Sequence, residues 1–142
     1  MSATISLITL GVADIAKSTA FYEKLGFVLS KAASQESVSF FPAGAVVLAL
    51  WSREAQIEDA QAGALWTGNG GICVAQNFAS EREVDETMAK AKAAGARIVK
   101  PAEKTFWGGY NGYFSDPDGH LWEIAFNPDW PLDKNGRVEL PK

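Results

Sequence analysis

The sequence predicts an α+β fold built from two βαβββ halves, and three observations carry that prediction. The hydrophobic patterning runs strand, helix, strand, strand, strand, and then repeats that order. Each helix stops at a glycine, in Leu25-Gly26-Phe27 and in Ala94-Gly95-Ala96. Each half then turns a hairpin, at Phe41-Pro42-Ala43-Gly44 and at Ser115-Asp116-Pro117-Asp118-Gly119. The halves share few letters, so the repeat lies in element order and turn positions. Antiparallel hairpins with segregated helices are the mark of an α+β arrangement.

The elements follow in order. Ile5–Val12 is rich in β-formers and ends before Asp14, which predicts a strand. Ile15, Ala16, Ala20, Phe21, Tyr22 and Leu25 then recur near helical spacing, with Asp14 as N-cap and Gly26 as the stop. Three short strands are expected at Phe27–Lys31, Ser37–Phe41 and Ala45–Trp51. Residues 53–68 are polar and alanine-rich and read as a linker with room for a short helical piece. The second half opens with a strand at Gly70–Gln76, preceded by a glycine turn at 68–71. Ser80 and Glu83 then fit a capping box. Val84, Met88, Ala91 and Ala94 line one face of the helix that follows, and its acids come early and its lysines late, as the helix dipole favours. Arg97–Lys100, Asn111–Ser115 and His120–Phe126 are the remaining strands, with a glycine-flanked loop at 101–110. The expected organisation is one domain over residues 1–142. It has a first module at about 5–52, the linker, a second module at about 69–127 and an irregular tail from about 128.

Composition narrows the function. Hydrophobic residues are 47% and charged residues 21%, the balance of a soluble globular protein. No apolar run approaches the roughly 18 residues that cross a bilayer. The N-terminus has no basic segment before an apolar stretch, so no secretory signal is expected. The single cysteine, Cys73, excludes an intrachain disulfide and fits a reducing compartment, so the cytoplasm is the expected location. A net charge of −4, with scattered Lys and Arg, argues against a nucleic-acid partner. Glycine-rich phosphate-binding motifs are absent from the sequence.

The stretches LGVADIAKSTAFYEKLGF and GYFSDPDGHLWEIAFNP carry a resemblance. Together, in this order and within a repeated frame, they resemble the vicinal-oxygen-chelate superfamily, which includes glyoxalase I, extradiol dioxygenases, a fosfomycin-resistance enzyme and bleomycin-binding proteins. The resemblance spans about residues 5–127. It implies curved mixed sheets around a central cleft, a small-molecule ligand and a homodimer. Metal-dependent relatives use four strand positions that face the cleft, a His or Gln on the first strand of each half and a Glu on the last. Carried across, these positions are Leu7, Leu48, Gly71 and Glu123. Only Glu123 can ligate a metal, and the neighbours of Leu7 and Gly71 (Ser6, Ile8, Gly70 and Ile72) add no good ligand. Typical catalytic metal sites need about three protein ligands. No cofactor is therefore expected, and a divalent metal is disfavoured. The single histidine, His120, stands three residues before Glu123, so strand alternation points the two to opposite faces.

Glu123 remains as the candidate catalytic residue. On a concave sheet among apolar neighbours, it could act as a general base or anchor a ligand. It could equally be a carboxylate bonded only to a tyrosine or the backbone. Trp107, Tyr110, Tyr113 and Trp51 are candidate ligand contacts, because aromatics supply contact area and stacking, and loop positions carry function. Some of these aromatics belong to the core. Leu7, Leu48 and Cys73 complete the candidate set on the expected inward face; a lone cysteine there is more often a small buried hydrophobe. Three functions remain open. The first choice is a small-molecule binder of the bleomycin-resistance type without a working metal. The alternatives are a metal-dependent lyase, isomerase or dioxygenase of the glyoxalase type, and a metal-free enzyme with Glu123 as base.

Overall fold

The structure is a computed structural model and describes residue 3 and residues 5–63 and 71–142. The chain divides into two compact units, Met1–Gly68 and Asn69–Lys142. No helix among the described residues is long and apolar enough to cross a membrane.

The first unit holds β1 (Leu7–Val12), α1 (Ile15–Lys24), β2 (Val38–Ala43), β3 (Val46–Ser52) and α2 (Arg53–Ala60). Asp14 caps α1 by accepting a hydrogen bond from the Lys17 backbone N–H at 3.0 Å, and Gly26 ends the turn at φ 103°. The sheet order is β1-β3-β2, with β1 parallel and β2 antiparallel to β3. Its α1-bearing face is the core of the unit. Tyr22 meets Phe41 at 6.3 Å between ring centroids, and Thr19 and Ser39 share a 2.7 Å hydroxyl–hydroxyl hydrogen bond.

One expected strand does not form. Residues 27–31 run outside the sheet, and Val28 is 74% exposed. The segment touches β2 through the Ser30 N–H, which donates to the Phe40 carbonyl at 2.8 Å. Serines explain the difference. The Ser34 N–H donates back to the Ser30 carbonyl, and the Ser34 hydroxyl accepts from the Phe40 N–H at 2.9 Å. These local bonds offer the backbone an alternative to a ladder. In the stretch read as a linker, α2 forms with Ser52 as its cap.

The second unit holds β4 (Cys73–Phe78), α3 (Glu81–Ala93), β5 (Arg97–Lys104), β6 (Tyr110–Ser115) and β7 (Leu121–Phe126), in the sheet order β4-β7-β6-β5. The expected start of β4 at Gly70 lies outside the described residues. The capping box at α3 is present. The Ser80 hydroxyl accepts from the Glu83 N–H, while the Glu83 carboxylate reaches back to the Ser80 hydroxyl and the Ala79 N–H, both at 3.0 Å. β5 runs four residues beyond the expected Lys100 and includes Pro101, which sits where the pairing with β6 shifts register between Lys100 and Glu103. An interrupted ladder tolerates a proline because no N–H is demanded there. In the hairpin before β7, buried Asp116 accepts backbone N–H bonds from Asp118 and His120 at 2.9 and 2.8 Å. Together the sheets give the α+β class expected, as two mixed sheets of three and four strands.

Candidate functional site

The site is set by which side of the four-stranded sheet each residue takes. α3 covers one side. A Cβ added at Gly112 would lie 2.8 Å from the Met88 Cε, so the even-numbered residues of β6 point at the helix. Their cross-strand partners on β7 are Trp122, Ile124 and Phe126. Phe114 and Trp122 stack there with an interplanar angle of 2°, and both are buried. The odd-numbered residues take the opposite side by alternation. Asn111 pairs with Ala125, Tyr113 with Glu123, Glu123 in turn with Ala75, and Leu121 with Cys73.

On that side a polar chain is assembled. The Lys100 Nζ donates to the Asn111 Oδ1 at 2.9 Å, and the Asn111 Nδ2 donates to the Glu123 Oε2 at 2.8 Å. Asn111 is 5% exposed, so its amide is fixed in place by both bonds. The Lys100 ammonium also lies 5.9 Å from the Tyr113 ring centroid and 3.4 Å from Glu103. Burial, then the Glu123 charge and a hydrogen bond to it, push the Tyr113 phenol up. Burial and the Glu123 charge likewise raise the Cys73 thiol above its ordinary 9.0, against an opposing backbone hydrogen bond from Glu123. Cys73 therefore stays a neutral thiol near pH 7.

The structure brings Glu123, Tyr113 and Cys73 onto this one face and sends the other candidates elsewhere. Tyr110 takes the α3 side. Its hydroxyl donates to the Asp85 Oδ1 at 2.7 Å, a bond that heads the causes holding its pKa up at about 12. Trp107 packs over Gly109, where an added Cβ would fall 1.8 Å from its ring. In the first unit, Leu7 and Trp51 share the sheet face away from α1, with Thr9, Phe40 and Ala49 between them. Two hollows of about 380 and 310 Å³ lie along that face, both lined by Phe40.

Leu48 is on the other side. It pairs with Phe41, the ring that meets Tyr22 of α1, and is 3% exposed. The expected alignment of Leu48 with Glu123 is off by one residue. The first hairpin leaves two residues between its last paired positions, Ala43 and Val46, while the second leaves five between Ser115 and Leu121. Counting from Gly44 and Gly119 therefore lands on opposite faces. The strand pairing gives a firmer frame. Leu7 and Cys73 each stand seven residues before their helix cap, Asp14 and Ser80. Two residues on in each first strand, Thr9 pairs with Ala49 and Ala75 with Glu123. Ala49 is thus the counterpart of Glu123, and Cys73, not Gly71, is the counterpart of Leu7. Gly71 lies before β4 at φ 76°. His120 precedes β7, and its N–H is bonded to Asp116.

Sequence reading passed over Asn111 and Lys100. The signal for Asn111 was present, because it sits two residues before Tyr113 on one strand. Nothing in the local pattern marks Lys100, since its place depends on the β5–β6 register.

The donor set does not fit a divalent metal. At the four equivalent positions stand Leu7, Ala49, Cys73 and Glu123, which supply one carboxylate and one thiol, short of the roughly three protein ligands that catalytic sites use. A hydrogen bond from Asn111 already occupies a Glu123 oxygen, and a lysine ammonium stands one amide away. No group of three or more His, Cys, Asp or Glu side chains able to hold a metal occurs among the described residues.

Two helix-backed units with mixed sheets, each made of a leading strand joined in parallel to a hairpin, define a paired-module α+β protein. The chain matches the Glyoxalase/Bleomycin resistance protein/Dioxygenase superfamily over residues 4–124 and belongs to it. It is similar to a glyoxalase-related enzyme from Fulvimarina pelagi, at 36% identity and a TM-score of 0.88, covering 98% of this chain and 99% of that one. A glyoxalase/bleomycin resistance protein/dioxygenase from Nocardioides matches at 29% identity and a TM-score of 0.72, covering 89% and 84%. A genomically encoded fosfomycin resistance protein from Listeria monocytogenes matches at 27% and 0.68, covering 89% and 95%. The comparison with curated proteins returns no match.

Proposed function

We propose that this protein binds a small organic molecule on the Glu123 face of the four-stranded sheet and does so without a divalent metal. One observation carries the reading. Glu123 accepts from the Asn111 amide, and that amide accepts from the Lys100 ammonium. A carboxylate held this way is tied to a neutral donor and a nearby cation, whereas a metal requires further anionic or imidazole donors. Superfamily membership supports a small-molecule ligand, but it does not fix the chemistry. The same reading takes the protein as a cytoplasmic homodimer. Its exposed lone thiol suits a reducing compartment, and the family resemblance supports the dimer.

The test is metal content by elemental analysis, after dialysis against chelator and then against nickel, zinc, manganese and iron together. Less than about a tenth of an equivalent is expected, because affinity requires the ligands to be present. Near one equivalent would overturn the reading and bring the glyoxalase-type lyase, isomerase or dioxygenase forward. On the same samples, light scattering is expected at twice the chain mass, and a monomer removes the dimer.

A further inference from the structure

The face of the four-stranded sheet away from α3 carries two opposite charges joined through one amide. Glu123 and Lys100 are the ends, and the buried Asn111 amide is the spacer, bonded to both. Neither charge is used up by that amide. A carboxylate offers about four acceptor sites and an ammonium three donors. Among the described residues Lys100 also pairs with Glu103, at 3.4 Å with a largely exposed side chain, so that pair is weak and readily exchanged. Among the described residues, the cross-strand neighbours beside Glu123 carry no charge. Ala75 faces Glu123 directly, Leu121 and Cys73 lie one step along, and the Cys73 thiol is held neutral. The Tyr113 ring lies beside the Lys100 ammonium and turns its raised, protonated phenol toward Glu123.

This pattern selects by charge. A simple anion drawn to Lys100 meets Glu123 and Glu103. A simple cation drawn to Glu123 meets Lys100. A molecule with both charges close together satisfies both ends, and each contact is then a charge-assisted hydrogen bond. We propose that this face binds a compact zwitterion of the amino-acid class, its ammonium on the Glu123 carboxylate and its acid group on the Lys100 ammonium. The proposal rests on the metal-free binding reading above and names the ligand class of that same site.

A matched set of probes tests it. Leucine carries both charges, 4-methylpentanoate keeps only the acid, and 3-methylbutylamine keeps only the amine. Each is titrated into uniformly 15N-labelled protein and followed by amide and Asn side-chain shifts. Leucine is expected to move the Asn111 side-chain NH2 and the amides of Ala75, Tyr113 and Glu123, with a Kd at least about tenfold below either single-charge probe, as loss of one charged contact implies. In Lys100→Met, a change at a half-exposed side chain that leaves the fold's spectrum in place, leucine is expected to bind no better than the amine. Equal binding of 4-methylpentanoate and leucine, or leucine shifts confined to other residues, overturns the zwitterion. A parallel mixed library of uncharged and singly charged small molecules separates the two readings. If a library compound moves these same amides while leucine does not, the ligand class is wrong and the binding site stands. If no compound moves them, both fall.

Discussion

Both units set a leading strand in parallel beside a hairpin, backed by a helix, and they differ in what they put on the face away from that helix. In the first, Leu7, Thr9, Phe40, Ala49 and Trp51 line that face, and its hollows are walled mainly by carbon. In the second, Lys100, Asn111, Tyr113 and Glu123 occupy the corresponding side and are joined by hydrogen bonds. The helix-bearing faces do not diverge in this way. Both are aromatic and aliphatic and both are buried, around Phe41 in one and Phe114 with Trp122 in the other. Repeated architecture constrains the packed face and leaves the other free to take on chemistry. Here the polar chemistry is concentrated in the second unit.

The largest expected effect separates the two faces of the first unit. Phe41 is fully buried and meets Tyr22, while Phe40, its neighbour in sequence, lines the hollows and is only partly buried. Phe41→Ala should cost about 3–5 kcal/mol, because the packed ring leaves a cavity. Phe40→Ala should cost roughly 1–2 kcal/mol, since less apolar area is removed from cover. Urea unfolding midpoints at constant slope read both. Equal costs would mean that the outer face is as tightly packed as the core, and the contrast between faces would collapse.

A smaller effect sharpens the contrast in the second unit. Asn111→Leu keeps the volume and removes the amide that links Lys100 to Glu123. Leaving Glu123 without that donor on a largely covered strand should cost about 1–3 kcal/mol. Lys100→Met removes a half-exposed partner and should cost about 1 kcal/mol or less. A double-mutant cycle between Asn111→Leu and Glu123→Gln should return a coupling of at least about 0.5 kcal/mol. Additive effects would show that the bond does not operate in solution.

The legibility of this fold in the sequence follows the same division. Apart from the 27–31 segment and α2, the element order could be read, as could the caps of α1 and α3 and both hairpins, because they depend on local signals such as Asp14, Ser80 with Glu83, Gly26 and Asp116. The strand expected at 27–31 failed because the Ser34 hydroxyl takes the Phe40 N–H on the β2 edge that a further strand would pair with, which an apolar pattern does not report. Alternation alone aligns Glu123 with Leu121 and Ala125, whereas Tyr113 joins that face through the β6–β7 register. Leu48 was placed on the wrong face because the two hairpins differ in length, and a one-residue slip exchanges the faces of a strand. Lys100 belongs to the site only through cross-strand register, and two irregularities interrupt that register.

The smallest expected effect reads the field of Glu123 at a distance from its hydrogen bonds. Cys73 is exposed enough to be alkylated, yet its thiol is held above 9.0, first by burial and next by the Glu123 charge. The thiolate is the reacting form, so a raised pKa means a smaller reactive fraction at any pH below it. Iodoacetamide at pH 8 should therefore modify native Cys73 more slowly than the same thiol in urea-unfolded protein. Glu123→Gln removes the like charge and leaves the burial, so it should speed native alkylation by a few fold without reaching the unfolded rate. The first unit offers a built-in comparison, because Ala49, the counterpart of Glu123, places no charge near Leu7, the counterpart of Cys73. Leu7→Cys therefore reads what burial does at that position with no carboxylate at the matching place in its own unit. A Cys73 rate unchanged by Glu123→Gln would show that the carboxylate does not act across β4 and β7, and would confine the polar site to β5, β6 and Glu123 itself.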